Sequence, residues 1–359
     1  MDRSDIKGKA QTVLGLIDGS ELGITLPHEH FFIDSRCYIV EPTDPEEKKL
    51  AHQKLTLENL WYARSHNLTS YDNLLLDDEE MAIREAMYFK EAGGKTIVDL
   101  TCISGHGRNP EGLVNIAKAT GLSIIMGTAY YIARSYTPEA KIDSRTEEDI
   151  AEEFIREITV GVGDTGIKAG ILGENGISWP MRDGERKVLR AAGIAQQETG
   201  AAINIHLGGC EDSPFECIKI LEEVGADLSR VVFSHMGRTI PISSRATRAR
   251  LAEKGCYLEY DGFGFDVTYP TKSPEMCPYD RPNDEIRMTL IMELIEDGFL
   301  NQILVSQDVA WKVILRSYGG QGYGHILRNI VPRMRAKGMT EEQINTILVA
   351  NPRRVNTFV

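Results

Sequence analysis

The stretch Gly23-Ile24-Thr25-Leu26-Pro27-His28-Glu29-His30 is a short β-prone run that ends in two histidines. Residues 23–26 read as a strand, and the pattern recurs along the chain. Seven further runs read the same way: 96–100, 123–127, 169–172, 202–205, 230–233, 256–259 and 302–305. Between them lie longer segments with helical periodicity. Residues 78–92 place Met81, Ile83, Met87 and Tyr88 on one stripe and stop at Gly93-Gly94, a C-terminal signal. Residues 146–160 open with Thr-Glu-Glu-Asp, a capping box with Asp in place of Glu. Further helices are expected near 182–199, 214–224, 241–254, 283–298 and 340–349. Eight strand–helix alternations predict an α/β fold of the closed (β/α)8 type, a TIM barrel in a single domain. The rival is an open doubly wound sheet, which wants a glycine-rich phosphate turn after an early strand. Gly105-His106-Gly107 follows the second strand, but Pro110 stands where the last glycine of a GxGxxG turn would be.

The composition agrees with one large core. The 359 residues would allow two domains, yet α/β barrels of this size form one. Residues 37–76 read as an extended loop with a helical insertion after strand one, holding Pro42, Pro45 and a helical stretch over 55–64. Lys and Arg number 40 against 53 Asp and Glu, a formal charge of −13. That excludes a nucleic acid as the main partner, because counterion release needs clustered positive charge. The longest apolar runs fall far short of the ~20 residues that cross a bilayer, so no membrane partner is expected. The first residues, MDRSDIKGKAQ, are charged and lack the apolar stretch of a signal peptide, so the expected location is cytoplasmic. Cys37, Cys102, Cys210, Cys217, Cys256 and Cys277 show no paired spacing and read as reduced thiols.

The polar residues sit where the predicted strands end. The first strand runs into His28 and His30, the fourth into Gly173-Glu174, the fifth into His206, the sixth into His235, and the eighth into Ser306-Gln307-Asp308. In a barrel all strand C-termini meet at one rim, where active sites are built. His28 and His30 are two apart, so on a strand they share a face. His206 and His235 could ligate a second ion, Glu174 could bridge two cations, and Asp308 could ligate and accept a proton. Zinc-like divalent ions take such N/O donors. A lone strand-end histidine is more often structural, and HxH alone is a weak signal. Six such positions at the ends of five strands are harder to explain as packing.

Longer segments carry a resemblance. GITLPHEH (23–30), GIKAGILGENGISWP (166–180), INIH (203–206), VVFSHMGRT (231–239), CYLEYDGFG (256–264), ILVSQD (303–308) and YGGQGYGHILRNIVP (318–332) span nearly the whole chain. In order and spacing the sequence resembles the phosphotriesterase family of the amidohydrolase superfamily, most closely its phosphotriesterase-related branch. The resemblance implies a (β/α)8 barrel with two divalent metal ions, zinc first, with manganese, cobalt or iron also suited. It implies that His28, His30 and Asp308 hold the more buried ion, and His206 and His235 the more exposed one. Glu174 takes the bridging place that many relatives give to a carboxylated lysine, and Lys168 is a poor substitute. The implied reaction is hydrolysis by a bridging hydroxide, with Asp308 as the catalytic proton acceptor. A homodimer is implied as well.

The sequence departs from that pattern at three places. Asn175 replaces an isoleucine after the bridging glutamate, adding a polar group near the centre. Gln307 stands where His or Asn is common. Asp261-Gly262-Phe263-Gly264 stands where the lactonase branch has Asp-Arg-Tyr-Gly, which argues against an acyl-homoserine lactonase. The candidate substrate contacts are Tyr131, Trp179, Phe263 and Trp311. Tyr131 aligns with a lactonase pocket tyrosine and reads equally as a rim aromatic packed on a loop. The two tryptophans read equally as ordinary packing. Arg108 is expected to order its loop, His106 to be a solvated loop residue, and Arg287 to pair on a helix face. His52, His66 and His325 are expected to be surface or structural.

The leading functional expectation is a dinuclear hydrolase of a small carboxylic ester or lactone, with phosphotriester cleavage as a side activity. The alternative within the family is an N-acyl amide hydrolase. The alternative of another class is a ligand-binding barrel without catalysis, which predicts a missing ligand residue, and none of the six is missing.

Overall fold

A computed structural model describes residues 6–237, 244–268 and 282–359. Cys277 and the first three residues of the helix expected over 241–254 lie outside the described residues. Eight parallel strands form the centre: β1 (Thr25–Glu29), β2 (Thr96–Asp99), β3 (Ser123–Met126), β4 (Leu172–Gly176), β5 (Ile203–His206), β6 (Val231–Phe233), β7 (Tyr257–Tyr260) and β8 (Ile303–Val305). Strands β1 to β3 pair in sequence order, as do β4 to β8. A parallel bridge from Gly127 to Ile171 joins β3 to β4. The remaining seam is closed by the Asp308 N–H, which donates to the His28 carbonyl at 3.2 Å. The ring is therefore a (β/α)8 barrel.

Outside the strands run α1 (Glu79–Glu91), α2 (Pro110–Thr120), α3 (Glu147–Thr159), α4 (Asp183–Thr199), α5 (Ser213–Glu223), α6 (Arg245–Glu253) and α7 (Asp284–Glu296). Their starts follow from side-chain caps. Asp78 accepts from Met81, and Thr146 with Asp149 forms the expected reciprocal box. Val98, Ile125, Ile171, Val232 and Leu304 fill the barrel interior, while residues between them on the strands, such as Ile97, Ile124, Val231 and Ile303, pack outward under the helices. This is the period-two division of a strand buried on both faces. Among the described residues no helix is long and apolar enough to cross a membrane.

Some boundaries differ from the sequence reading. Strand β1 begins two residues later than expected and runs through His28 to Glu29. Strand β4 likewise occupies Leu172–Gly176 rather than 169–172. Apolar runs located these strands, but both continue into polar residues that the interior also buries. Each shows a register shift, between Leu26 and Glu29 and between Leu172 and Asn175. Helix α2 was not anticipated, although Asn109, Pro110 and the left-handed Gly121 carry its start and stop. A hairpin of Lys9–Thr12 with Gly15–Asp18 was also missed. It places Ala10 under the barrel beside Val98 and Ile125.

Residues 37–76 hold two short helices, Pro45–Ala51 and Leu60–Ser65. Their flanks are tied by the antiparallel pairing of Ile33–Asp34 with Leu75–Leu76. This pairing fixes the chain just after β1, at the mouth of the barrel.

Candidate metal centre

Strand order brings the six residues of the sequence reading to one mouth. The ligand atoms of His28, His30 and Asp308 lie within 4.8 Å of one another, and so do those of His28, Glu174 and His235. Glu174 Oε1 lies 2.9 Å from His206 Nδ1, 2.9 Å from His235 Nε2 and 3.4 Å from His28 Nε2. His30 Nε2 lies 3.4 Å from Asp308 Oδ1. His235 and Asp308 have φ of +62° and +54°. Non-glycine residues in that region cost strain and cluster where function requires a particular direction.

The outer nitrogens of the rings are held by neighbours. Thr101 Oγ1 gives its proton to the Phe32 carbonyl at 2.8 Å, so it accepts from His30 Nδ1 at 2.9 Å. The Nε2 lone pair of His30 then faces inward. His28 Nδ1 lies 3.0 Å from Glu259 Oε2, and His235 Nδ1 lies 2.7 Å from Asp261 Oδ1. Such partners fix tautomer and orientation in metal-binding histidines. Ser234 and Asn204 hold Glu259 in turn, at 2.8 and 3.0 Å.

The electrostatics describe a cluster rich in buried carboxylates. Burial alone would raise the Glu174 carboxyl, but His206, His28 and the hydrogen bonds from His206 and His235 hold it well below its usual range. Burial would lower His28, yet Glu174 and Glu259 raise it well above the ordinary imidazole value. His235 rises to about 9 against its burial, mainly through Asp261. Asp261 falls to about 2 against its own burial, mainly through His235. His28 Nε2 is buried without a hydrogen-bond partner. Four converging imidazoles, buried carboxylates and an unpartnered inward nitrogen fit divalent cations, which would neutralise charge that is otherwise costly to bury.

A cavity of about 30 Å³ opens beside Glu174, His206, His235 and Asp308. Ile33, Ser35, Tyr38, His106, Tyr131, Ala310 and Trp311 line the rest, with no lysine or arginine among the described lining residues. Tyr131 and Trp311 therefore reach the mouth. Tyr131 Oη lies 3.2 Å from His206 Nδ1 and accepts from Tyr38 Oη at 2.8 Å. Trp179 does not reach it: it is 38% exposed, in a surface hollow with Arg186, Phe215 and Lys219. Phe263 is fully buried behind the mouth, beside Arg287. Trp179 and Phe263 lie in loops beyond the strands, whose paths no strand periodicity fixes, so adjacency to a ligand in sequence did not guarantee adjacency in space.

Other expectations resolve in the same way. His106 is 1% exposed rather than solvated. Burial first, then His30, lowers it to about 3. Arg108 orders its loop through a two-pronged pair with Glu157 at 2.6 and 2.8 Å. Arg287 is buried, and its pair is Asp284 at 3.4 Å. His325 is structural, bonded to Asp284 at 2.8 Å. Asn175 turns from the mouth and donates to the Leu172 and Asn204 carbonyls. Gln307 bonds Gly322 and Ile326 rather than a ligand ring. The sequence reading missed Thr101, Ser234, Glu259 and Asp261. The signal for the last two was a pair of carboxylates, two residues apart, at the end of the apolar run of β7.

The chain matches the phosphotriesterase family over residues 8–356. It belongs to that family. A phosphotriesterase-related protein of Nematostella vectensis is 41% identical over 354 residues, 98% of this chain and 99% of that protein. The human N-acetyltaurine hydrolase is 38% identical over 356 residues, 99% of each chain. The crystal structure of a resiniferatoxin-binding protein from Rhodobacter sphaeroides superposes with a TM-score of 0.92 at 34% identity, over 99% of this chain and 98% of that one. The chain is thus a hydrolase of the phosphotriesterase family on a TIM barrel.

Proposed function

We propose that this phosphotriesterase-family hydrolase cleaves the amide bond of a small N-acyl compound at a dinuclear metal centre. The position of Glu174 carries the reading: its Oε1 stands among His206, His235 and His28, and His28 also belongs to the group with His30 and Asp308. The two donor sets overlap at His28, and two ions held there would share the Glu174 carboxylate. We assign His28, His30 and Asp308 to one ion and His206 and His235 to the other, with zinc as the first candidate. Divalent ions bound there would lower the pKa of water from about 15.7 to near 7 and would draw charge from an acyl oxygen.

The chain's own residues do the rest. Asp308 is the proton acceptor: its carboxylate borders the cavity, and His30 and His235 balance its charge. The amide nitrogen needs a proton to leave, and Asp308 returns it. Ile33, Tyr38, Tyr131, Ala310 and Trp311 shield the reacting group from bulk water. Amide cleavage is favoured over ester or lactone cleavage by the human relative, named for an N-acetyl amide and matched over 99% of both chains.

One panel tests this. Metal-free and zinc-loaded enzyme are assayed on N-acetylated amino acids and amino sulfonates, p-nitrophenyl acetate, γ-lactones and paraoxon. The N-acetyl amides are expected to give the highest kcat/KM, only in the loaded enzyme. An ester or lactone turned over tenfold better would replace the amide reading. Equal activity without metal would end the dinuclear one.

A further inference from the structure

The motif Gly105-His106-Gly107 is absorbed by none of the roles above, yet it is built to point one ring at the mouth. Gly105 and Gly107 have φ of +72° and +89°. A Cβ on the first would strike the Ser135 carbonyl oxygen, and one on the second the Asp34 nitrogen. Only glycine allows the loop to fold this closely over residues 33 and 34, where the Asp34 N–H donates to the His106 carbonyl at 2.9 Å. His106 is thereby pressed inward.

Its ring is fixed in plane and in tautomer. It stacks on Tyr131 with centroids 4.2 Å apart and planes 14° apart. The Cys102 backbone N–H donates to Nδ1 at 3.1 Å. A backbone amide can only donate, so Nδ1 is the unprotonated nitrogen and the proton of the neutral ring is on Nε2. Among the described residues no hydrogen bond engages Nε2. Tyr38, in the same wall, already donates to Tyr131.

We propose that His106 is a substrate-binding residue: its Nε2–H donates a hydrogen bond to an oxygen of the bound substrate. The inference rests on the hydrolase reading of the mouth. A fixed neutral donor suits an oxygen acceptor, either the acyl oxygen or an oxygen of an anionic tail. It also rejects analogues that lack the acceptor, because a buried donor would then go unpaired.

The test uses zinc-loaded enzyme. His106→Phe keeps an aromatic ring against Tyr131 and removes the donor. His106→Gln returns an N–H near the Nε2 position. With metal content unchanged, His106→Phe is expected to raise KM about tenfold, with a smaller change in kcat, and His106→Gln to recover part of it. Equal effects on a neutral N-acetylated amine and an N-acetylated amino sulfonate assign the bond to the acyl oxygen. An effect on the sulfonate alone assigns it to the tail. Unchanged KM for both would overturn the proposal. A readout independent of turnover is long-range proton–nitrogen NMR of histidine-labelled enzyme at pH 7, with acetate added as the probe. The expected result is an Nε2–H tautomer whose signal moves with acetate. An Nδ1–H tautomer, or an Nε2 signal indifferent to acetate, would refute it, even if wild type proved inactive on amides and the functional reading failed.

Discussion

Glu29 grips the chain on both sides of Asp308. Its Oε1 accepts the Gln307 N–H at 2.8 Å and its Oε2 accepts the Val309 N–H at 2.9 Å. Ser306 adds a hydroxyl donor at 2.7 Å. The residue between the two HxH histidines thus joins β1 to the loop after β8 and holds Asp308 in its left-handed conformation. Burial pushes the Glu29 carboxyl up to about 8 despite these donors. Glu29→Gln sets an amide donor against one of the backbone N–H groups. Urea unfolding is expected to show a loss of about 1–3 kcal/mol. A loss below about 0.5 kcal/mol, the range of ordinary surface substitutions, would show that the clamp is dispensable.

Glu174 stands between the two proposed ion positions. Glu174→Ala is expected to lower metal content from near two per chain to one or none, by elemental analysis after dialysis. Activity should fall at least a hundredfold. Retention of two ions would show that Glu174 is not the bridge.

Asp261 holds His235 twice, at the ring and at the backbone N–H, both at 2.7 Å. Removing such a support typically lowers metal affinity about 10–100-fold. Asp261→Ala should therefore lose metal to a chelator at correspondingly lower concentration, with the fold intact by circular dichroism. Unchanged chelator competition would make Asp261 a bystander.

Arg108 and Glu157 form a buried pair that also accepts the Thr128 hydroxyl at 2.6 Å. Breaking such a pair leaves an uncompensated charge and costs about 3–5 kcal/mol. Arg108→Met should lower stability by that order in denaturant unfolding. Arg108→Met with Glu157→Leu should recover part of the loss. A double variant worse than the sum of both singles would contradict the pairing.

Asp284 predicts a pH dependence. Burial would raise its carboxyl, but the hydrogen bonds from His325 and the Gly264 N–H hold it below its ordinary value. A folded pKa below the unfolded one adds stability above the unfolded value of about 3.9, and that stability is lost as pH falls through the folded value. Asp284→Asn should thus be destabilised at pH 7 and converge on wild type toward pH 3. Urea midpoints at both values check this, and a constant offset would refute it.

The alternation of strands and helices was legible because local periodicity encodes it. So were the six proposed ligand positions, as polar residues just past an apolar run. The family resemblance supplied roles that the residue pattern left open. The ends of β1 and β4 were misplaced because the barrel interior buries polar residues as readily as apolar ones where strands meet at the mouth. His106 looked solvated between two glycines, since nothing local shows that those glycines fold the loop inward.

The sequence by itself determined the barrel, the acidic charge and which six side chains lie at strand ends. Only the tertiary structure decided what holds and faces them. His28 meets Glu259 across 231 residues, Asp308 is clamped from Glu29, and Trp179 and Phe263 turn away from the mouth. Strand and helix signals depend on neighbours a few residues apart. Hydrogen bonds between strand ends exist only after barrel closure brings those ends to one rim, and no local pattern records their direction.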